Sequence, residues 1–440
     1  MRTILIFILC FGIFVPVAMS QVDRQPVIRL TLKDALQSVD TVNFQVMMAS
    51  ARLEQAIARI SQAQADLLPH IEGSLNAGRQ TVDLRAEGLH IPIPGFKTHV
   101  GPFNSYDARL RVTVALFDPS AFERFQAAKK GQKLSEAELA KTREDVMALV
   151  TTLFIDAERK EQTVRIMQIL LEKDKMAYSL SEDRLSQGTG TSLDASRYKS
   201  ELDQTSYLYQ QAEQDALDAR LDLAAALQLP ADVPIIFIDD KVFLKKLENS
   251  DAVNFNNATS ADMALASSAL ESHKADQKAA YADFLPKISG RAEYGRSGAS
   301  PDRGSNVYDV GVAVSVPIWE GGAQQANLKE INGRIKEAQE NFLDVGQQVR
   351  VNIFKARAAI VETDELRRSK TQQKETAQRT LQMTLRSQAV GSATLLELMQ
   401  AKADLATAED QYNEAQAAWI MAHINLLHTQ GRLRDLIKGE

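Results

Sequence analysis

The residues able to carry metal, nucleophilic or acid–base chemistry are few and scattered. The six histidines are His70, His90, His99, His273, His423 and His428. No two have the H-x-x-x-H spacing that turns a pair of imidazoles toward one metal on a helix face. The only cysteine, Cys10, follows bulky Leu9 inside an apolar leader, so it offers neither a disulfide framework nor a good lipidation site. There is no phosphate-cradling glycine loop and no nucleophile elbow. Lone histidines on polar helices are ordinarily structural or solvated. The expectation is therefore no enzyme, no cofactor and no bound metal. Two acids stand out by position instead. Asp194 and Glu397 each lie six residues beyond a glycine, Gly188 and Gly391, at the start of a long helical pattern. An acid at a helix start is favoured by the macrodipole by ~0.3–1 kcal/mol.

The helices behind those acids explain the repetition. In Arg386–Gly431, Leu398, Leu405, Tyr412, Trp419 and Leu426 recur every seven residues, with Ala401, Ala408, Ala415 and Ala422 between them. This is an a/d seam with alanine at one position, which lets a neighbouring helix approach closely. The stretch Arg184–Leu229 repeats it at an offset of 203: Leu202 matches Leu405, Tyr209 matches Tyr412, and Ala212 matches Ala415. The chain is a tandem duplication, and any fold must place both halves equivalently. Proline is absent between Pro119 and Pro230 and after Pro317. Because proline costs a helix interior about 3 kcal/mol, those tracts are where very long helices can run. Pro119–Ser186 reads as one helix of roughly 100 Å at 1.5 Å per residue, and Trp319–Gln388 as its twin with Gly333 and Gly346 as weak points. Each returns through its glycine turn, giving helical hairpins over 119–229 and 319–430.

A change of period precedes each hairpin. Residues 31–67 and 258–285 read as helices that end at Leu67-Leu68-Pro69 and Phe284-Leu285-Pro286. Beyond them the pattern alternates, giving strand pairs at about 69–79 with 105–117 and 286–296 with 307–318. Tyr106, Ala108, Leu110, Val112, Val114 and Leu116 share one face; Asp107, Arg109, Arg111 and Thr113 share the other. In the second half Tyr308, Val310, Val312 and Val314 oppose Asp309, Gly311 and Ala313, and Arg291 and Glu293 oppose Ala292 and Tyr294. Segments of about ten residues, apolar outside and polar inside, have the length that crosses a bilayer at a ~45° tilt. The charged set Asp107, Arg109, Arg111, Arg291, Glu293 and Asp309 would then line a lumen. Residues 80–103 and 296–306, rich in glycine, proline or polar residues, read as extracellular connectors.

Residues 1–20 read as a cleaved secretory leader, with Arg2, an apolar run over Ile4–Val17, and Ala18-Met19-Ser20 as the cleavage tripeptide. The chain then divides into a first repeat (21–230), a linking segment (231–257), a second repeat (258–431) and a short tail (432–440). The full chain is 440 residues, 45% hydrophobic and 25% charged, with net charge −6. That balance gives no basic footprint for nucleic acid. Four strands cannot close a barrel, and an open edge in lipid leaves backbone groups unpaired at several kcal/mol each. Neighbouring copies must complete the barrel; three would give twelve strands.

These pieces, in this order and in both halves, resemble the outer membrane efflux proteins, TolC-like channels. The resemblance covers about residues 28–431 and rests on LLPHI and FLPKI, LFDPS and PIWEGG, and the two glycine tips with their alanine-rich return helices. It implies a homotrimer with a twelve-stranded outer-membrane β-barrel continuous with a long periplasmic α-helical barrel, and an equatorial band formed by 231–257 and the termini. It implies an outer-membrane duct that works with a periplasmic adaptor and an inner-membrane transporter of RND or ABC type, for drug efflux or type I secretion. Adaptor contact would fall on Gln187, Gly188, Thr189 and Gly190, and on Ala389, Val390, Gly391 and Ser392. Asp194 and Glu397 match acids that face the family's pore entrance, and they remain equally readable as helix-start acids. The second acid that the family often carries is Gln400 here. The competing reading of the residues is a soluble periplasmic coiled-coil scaffold or adaptor, with its strands folded into a small sandwich and no lipid-facing apolar band.

Overall fold

The computed structural model describes residues 28–84, 86, 88, 98–231, 233–238, 245, 247, 248 and 260–437. The leader at 1–20, His90, and most of 239–259 lie outside them. The chain runs β1 (Ile28–Leu30), α1 (Leu32–Val42), α2 (Phe44–Ala65), β2 (His70–Asp83), β3 (His99–Phe117), α3 (Pro119–Ser186), α4 (Ser192–Ala226), β4 (Ile235–Phe237), α5 (Ala261–Ala282), β5 (Lys287–Gly298), β6 (Gly304–Ser315), α6 (Ala323–Ala389), α7 (Leu395–Thr429) and α8 (Arg434–Ile437).

Helix α3 is 68 residues long, about 100 Å at the ordinary rise. Asp118 caps it by accepting from the Ala121 N–H, and Pro119 fills the first turn, where no backbone donor is needed. Helix α6 is 67 residues and runs unbroken through Gly333 and Gly346, so neither weak point interrupts it. It begins at Ala323 rather than at Trp319, because Gly321 and Gly322 take positive φ just before it. The helix expected over 31–67 is two helices. Asn43 divides them: its backbone is extended, its Oδ1 accepts from the Gln45 N–H, and its Nδ2 donates to the Ala226 carbonyl at the end of α4.

The helices form a layer. Toward the tips α4 packs on α3, α3 on α7, and α7 on α6; toward the strands α2 packs on α3, α3 on α5, and α5 on α6. The short helices α2 and α4 therefore flank α3 on one side, while α5 and α7 fill the gap between α3 and α6. The seam on α7 is packed at its two ends, where Leu398, Ala401, Ala415, Trp419, Ala422 and Leu426 are buried; between them Leu405, Ala408 and Tyr412 are half-buried, and Ala403 and Ala406 are buried instead. The two hairpins differ at one depth. In the first, the Thr205 hydroxyl donates to Asp174, whose side chain is buried. The matching positions in the second hairpin are Ala377 and Ala408.

The main core lies at the equator, where α1, α3, the ends of α4 and α7, and the C-terminal residues converge. Leu36, Val39, Val146, Val150, Phe154, Leu223, Ile424 and Leu433 are buried together. Each such side chain contributes roughly 1.5–3 kcal/mol of burial. Beside it, β1 pairs in parallel with β4, so part of the 231–257 segment joins the N-terminal strand.

The four longer strands make one sheet in the order β2-β3-β5-β6. Strands β2 and β3 are longer than 69–79 and 105–117: they reach Asp83 and begin at His99, with a bulge between Gln80 and Val82. The connector at 80–103 is thus shorter than the sequence suggests. Strand β6 stops at Ser315, just before Pro317, which has no N–H to give a ladder.

A polar clasp ties the C-terminal end to α3. The buried Glu144 carboxylate accepts from the Leu433 and Arg434 N–H groups, and Asp145 pairs with His428 at 2.9 Å and Lys141 at 2.9 Å. Burial pushes the Glu144 carboxyl above its usual range, against the pull of those two donors. Burial also works against Asp145, but hydrogen bonds from His428 and Lys141 outweigh it and hold its pKa below the usual range. A depressed acid stabilises the fold above its unfolded pKa and loses that stabilisation as pH falls through its folded value. At neutral pH, Asp145→Ala is expected to lower the thermal unfolding midpoint of the purified protein. That gap to wild type should narrow only as the pH drops below about 3.9; a gap unchanged at lower pH would show that the Asp145 pairs contribute nothing.

Candidate functional site: the hairpin tips and the charged sheet face

The two tips are built alike, atom for atom across the repeat. In the first, Gly188 has φ +72°, its N–H donates to the Leu185 carbonyl at 3.0 Å, and the Thr189 N–H donates to the Arg184 carbonyl at 2.9 Å. In the second, Gly391 has φ +74°, its N–H donates to Gln388 at 2.9 Å, and the Ser392 N–H donates to Ser387 at 2.9 Å. The Thr189 and Ser392 hydroxyls donate to the same two carbonyls. Left-handed backbone closes each long helix, and only glycine adopts it without cost. The tips differ at Gly190, where an added Cβ would lie 3.0 Å from Arg184 Cβ; its counterpart is Ala393. Gln187 and Val390 are the helix C-caps, and Val390 is 79% exposed, a large apolar side chain held in solvent at the very end.

Asp194 and Glu397 both engage in capping. Thr191 and Thr394 are the N-caps, each accepting from the N–H of the acid three residues on. Thr191 donates its hydroxyl to Asp194, and Glu397 accepts from both the Thr394 N–H at 2.6 Å and the Thr394 hydroxyl at 3.0 Å. The backbone donor of Thr394, with its hydroxyl, holds the Glu397 pKa below the usual carboxylate range. Both carboxylates stay exposed, so capping leaves each charge available to solvent. The two threonines are the residues that reading the acids alone misses, although T-x-x-D and T-x-x-E in sequence are the signal.

On the sheet, the register places Asp107, Arg109, Arg111, Arg291, Glu293 and Asp309 on one face. Arg111 pairs with Glu293, and Glu293 with Asp309, directly across the strands. Glu72, opposite Arg111, belongs to the same face and was not singled out in sequence, where only its alternation with apolar residues marks it. The opposite face carries Ile71, Leu75, Leu110, Tyr294, Tyr308, Val310, Val312 and Val314, all exposed in the single copy. A sandwich would bury such a face; this sheet is a single open layer, with β2 and β6 at its free edges.

Among the described residues the histidines do not converge. His423 stacks on Trp419 with ring centroids 4.1 Å apart, His428 pairs with Asp145, and His273 lies near Asp276 on α5. Among the described residues no three potential metal ligands gather, and no helix is long and apolar enough to cross a membrane.

The chain was compared with known families, curated proteins and solved structures. The outer membrane efflux protein family matches residues 35–228 and 257–432, which is most of both repeats. The pyoverdine export outer membrane protein OpmQ of Pseudomonas putida is 24% identical over 388 residues, 87% of this chain and 82% of that protein. The alkaline protease secretion protein AprF of Pseudomonas aeruginosa is 21% identical, over 84% of this chain and 78% of that one. Among solved structures, the outer membrane channel CmeC of Campylobacter jejuni superposes with TM-score 0.72 at 15% identity, covering 91% of this chain and 85% of that one. The outer membrane protein VceC of Vibrio cholerae does so with TM-score 0.71 at 18% identity, covering 91% and 96%. At these identities the structures show a shared fold, and the matches over both repeats show that the chain belongs to the outer membrane efflux protein family.

Proposed function

We propose that three copies of this chain close edge to edge into a passive duct: twelve strands through the outer membrane, continuous with a helical cylinder in the periplasm. The observation that carries this reading is the open sheet. Its apolar face is exposed, its opposite face is charged, and its two edges are unpaired, so it is complete neither in water nor in lipid as a single copy. The helical layer supports the same closure. Its outer edges, α2 with α4 on one side and α6 on the other, follow the same order as the strand edges β2 and β6. Those helical edges expose Met47, Met48, Tyr207, Leu343 and Val361. The charged strand face then lines the lumen, and Asp194 and Glu397 stand near the periplasmic mouth. The duct carries cargo delivered by an inner-membrane transporter of RND or ABC type through an adaptor that docks at the tips. A relative named for pyoverdine export and another for alkaline protease secretion support a cargo of exported small molecules or secreted proteins.

Two measurements test this. The first is capture at the tips. Cysteines at Gln187 and Val390 should crosslink in cells to one periplasmic partner, in a detergent-extracted species that migrates as a heat-dissociable trimer. A monomer released by plain buffer would refute the duct. The second concerns the mouth. In reconstituted channels the double variant Asp194→Ala, Glu397→Ala is expected to weaken block by divalent cations. Thr191→Ala with Thr394→Ala removes the capping hydroxyls but keeps the charges, and should leave the block intact. Equal effects from the two pairs would reduce the acids to helix caps.

A further inference from the structure

The charged face of the sheet is organised around one side chain. Glu72, Arg111, Glu293 and Asp309 are direct cross-strand partners, so a single rung of the ladder carries a charge on every strand. Within it, Glu293 is the least exposed: its side chain is 5% accessible, although it lies on a face with no element packed over it. Arginines cover it. Arg111 Nε lies 2.6 Å from Glu293 Oε1, Arg109 Nη1 lies 3.2 Å from Oε2, and Arg291 Nε lies 3.6 Å from Oε1. Two other acids hold the outer ends of this group, Asp107 at 2.8 Å from Arg109 and Asp309 on Arg291. Glu72 is looser, 4.0 Å from Arg111 and 70% exposed.

The backbone makes room for this arrangement. Gly295, opposite Arg109, has no side chain; an added Cβ would lie 2.9 Å from Arg109 Cγ and 2.2 Å from the Ala108 carbonyl oxygen. Gly311 stands opposite Arg291, where an added Cβ would meet no atom within 4 Å. Glycine inside a strand weakens it, and its presence beside Arg109 leaves the path along which the guanidinium lies flat on the wall.

From this geometry we infer that Glu293 is a specificity-determining residue of the duct: it clamps three arginines to the lumen wall and so keeps the mid-barrel from holding anionic cargo. The inference rests on the strand face being a lumen. A guanidinium is a planar fork that binds phosphate or carboxylate through paired N–H donors. Three free forks per copy, repeated around a barrel, would form an anion trap within an export path. With Arg109 and Arg111 donating to Glu293, and Arg291 donating to Asp309 with its Nε 3.6 Å from Glu293, they present neutralised edges to passing solute. A conduit must bind its solute weakly enough to let it leave, and Glu293 meets that need locally.

The experiment uses the full-length protein in planar bilayers, with inorganic pyrophosphate as the anionic probe. Glu293→Asp keeps the charge but is one methylene too short to reach all three arginines. It is expected to gain block by pyrophosphate, with little change in the reversal potential in a potassium chloride gradient. Glu293→Gln should gain stronger block and also shift the reversal potential toward chloride. Glu72→Gln removes the same charge from the loosely held position; it should shift the reversal potential without gaining the block. Adding Arg111→Gln to Glu293→Asp should abolish the gained block. If Glu293→Asp conducts and is no more sensitive to pyrophosphate than wild type, the clamp is wrong. If Glu72→Gln gains the same block as Glu293→Gln, charge number alone decides and the clamp is again wrong. Electrical silence of the wild-type protein would instead remove the duct reading on which both depend.

Discussion

Backbone hydrogen bonding at the edges of the sheet governs this molecule. Strands β2 and β6 each offer a row of N–H and C=O groups with no strand partner among the described residues. In water such an edge is a hazard for aggregation, and in hydrocarbon each unpaired group costs several kcal/mol. The strands cannot curl to meet one another, since four are too few to enclose anything. The apolar face adds a second demand, because valines, leucines and tyrosines exposed on one side of a sheet need lipid or protein against them. Completion by further copies, as proposed above, would answer both, and the chain belongs to a family named for the outer membrane.

The helices meet a different constraint. A layer some 100 Å long cannot be held by a central core, because each helix touches only its flanking neighbours. Small side chains do the work along its length: Ala212, Ala216, Ala219, Ala401, Ala415 and Ala422 let backbones come close enough for many weak contacts to add up. Larger apolar residues concentrate at the equator, where α1, the β1–β4 pair and the C-terminal turn wrap α3. Here the layer is thick enough to bury Phe154, Leu223 and Leu433 fully. The molecule is thus stapled at its waist and loosely zipped below it.

Much of this was legible in the chain of letters. The absence of proline from 120–229 marked the long helices, since one proline would have broken them. The heptad of Leu398, Trp419 and Leu426 marked a packed seam, and those residues are buried. Strict alternation over 106–116 and 308–314 marked the strand faces, and the cross-strand register keeps Arg111 with Glu293 and Leu110 with Tyr294. What escaped notice depends on contacts distant in sequence. The break at Asn43 looks like any polar residue in a helix until its side chain meets the Ala226 carbonyl. Glu144 looks like a surface acid until the C-terminal turn folds onto it, 289 residues away. The extension of β3 back to His99 runs through glycine and proline, which local pattern assigns to a loop but pairing with β2 overrides. Glu293 was one charge among several, because nothing in a one-dimensional pattern tells which carboxylate three arginines will share.

The pair Asp174 and Thr205 gives the duplicated chain an unevenness of its own. The buried Asp174 carboxylate pairs with Lys173 on its own helix at 3.0 Å and accepts from the Thr205 hydroxyl of α4, an index mark between the helices: shift either by a turn and that buried hydrogen bond is lost. At the matching positions the other hairpin has Ala377 and Ala408, and what crosses between its helices nearby is partly exposed: Lys370 with Gln411 at 2.9 Å and Lys374 with Glu409 at 3.8 Å. Two halves descended from one ancestor are therefore registered differently, one arm by a contact sealed from water and its sibling by contacts that water reaches.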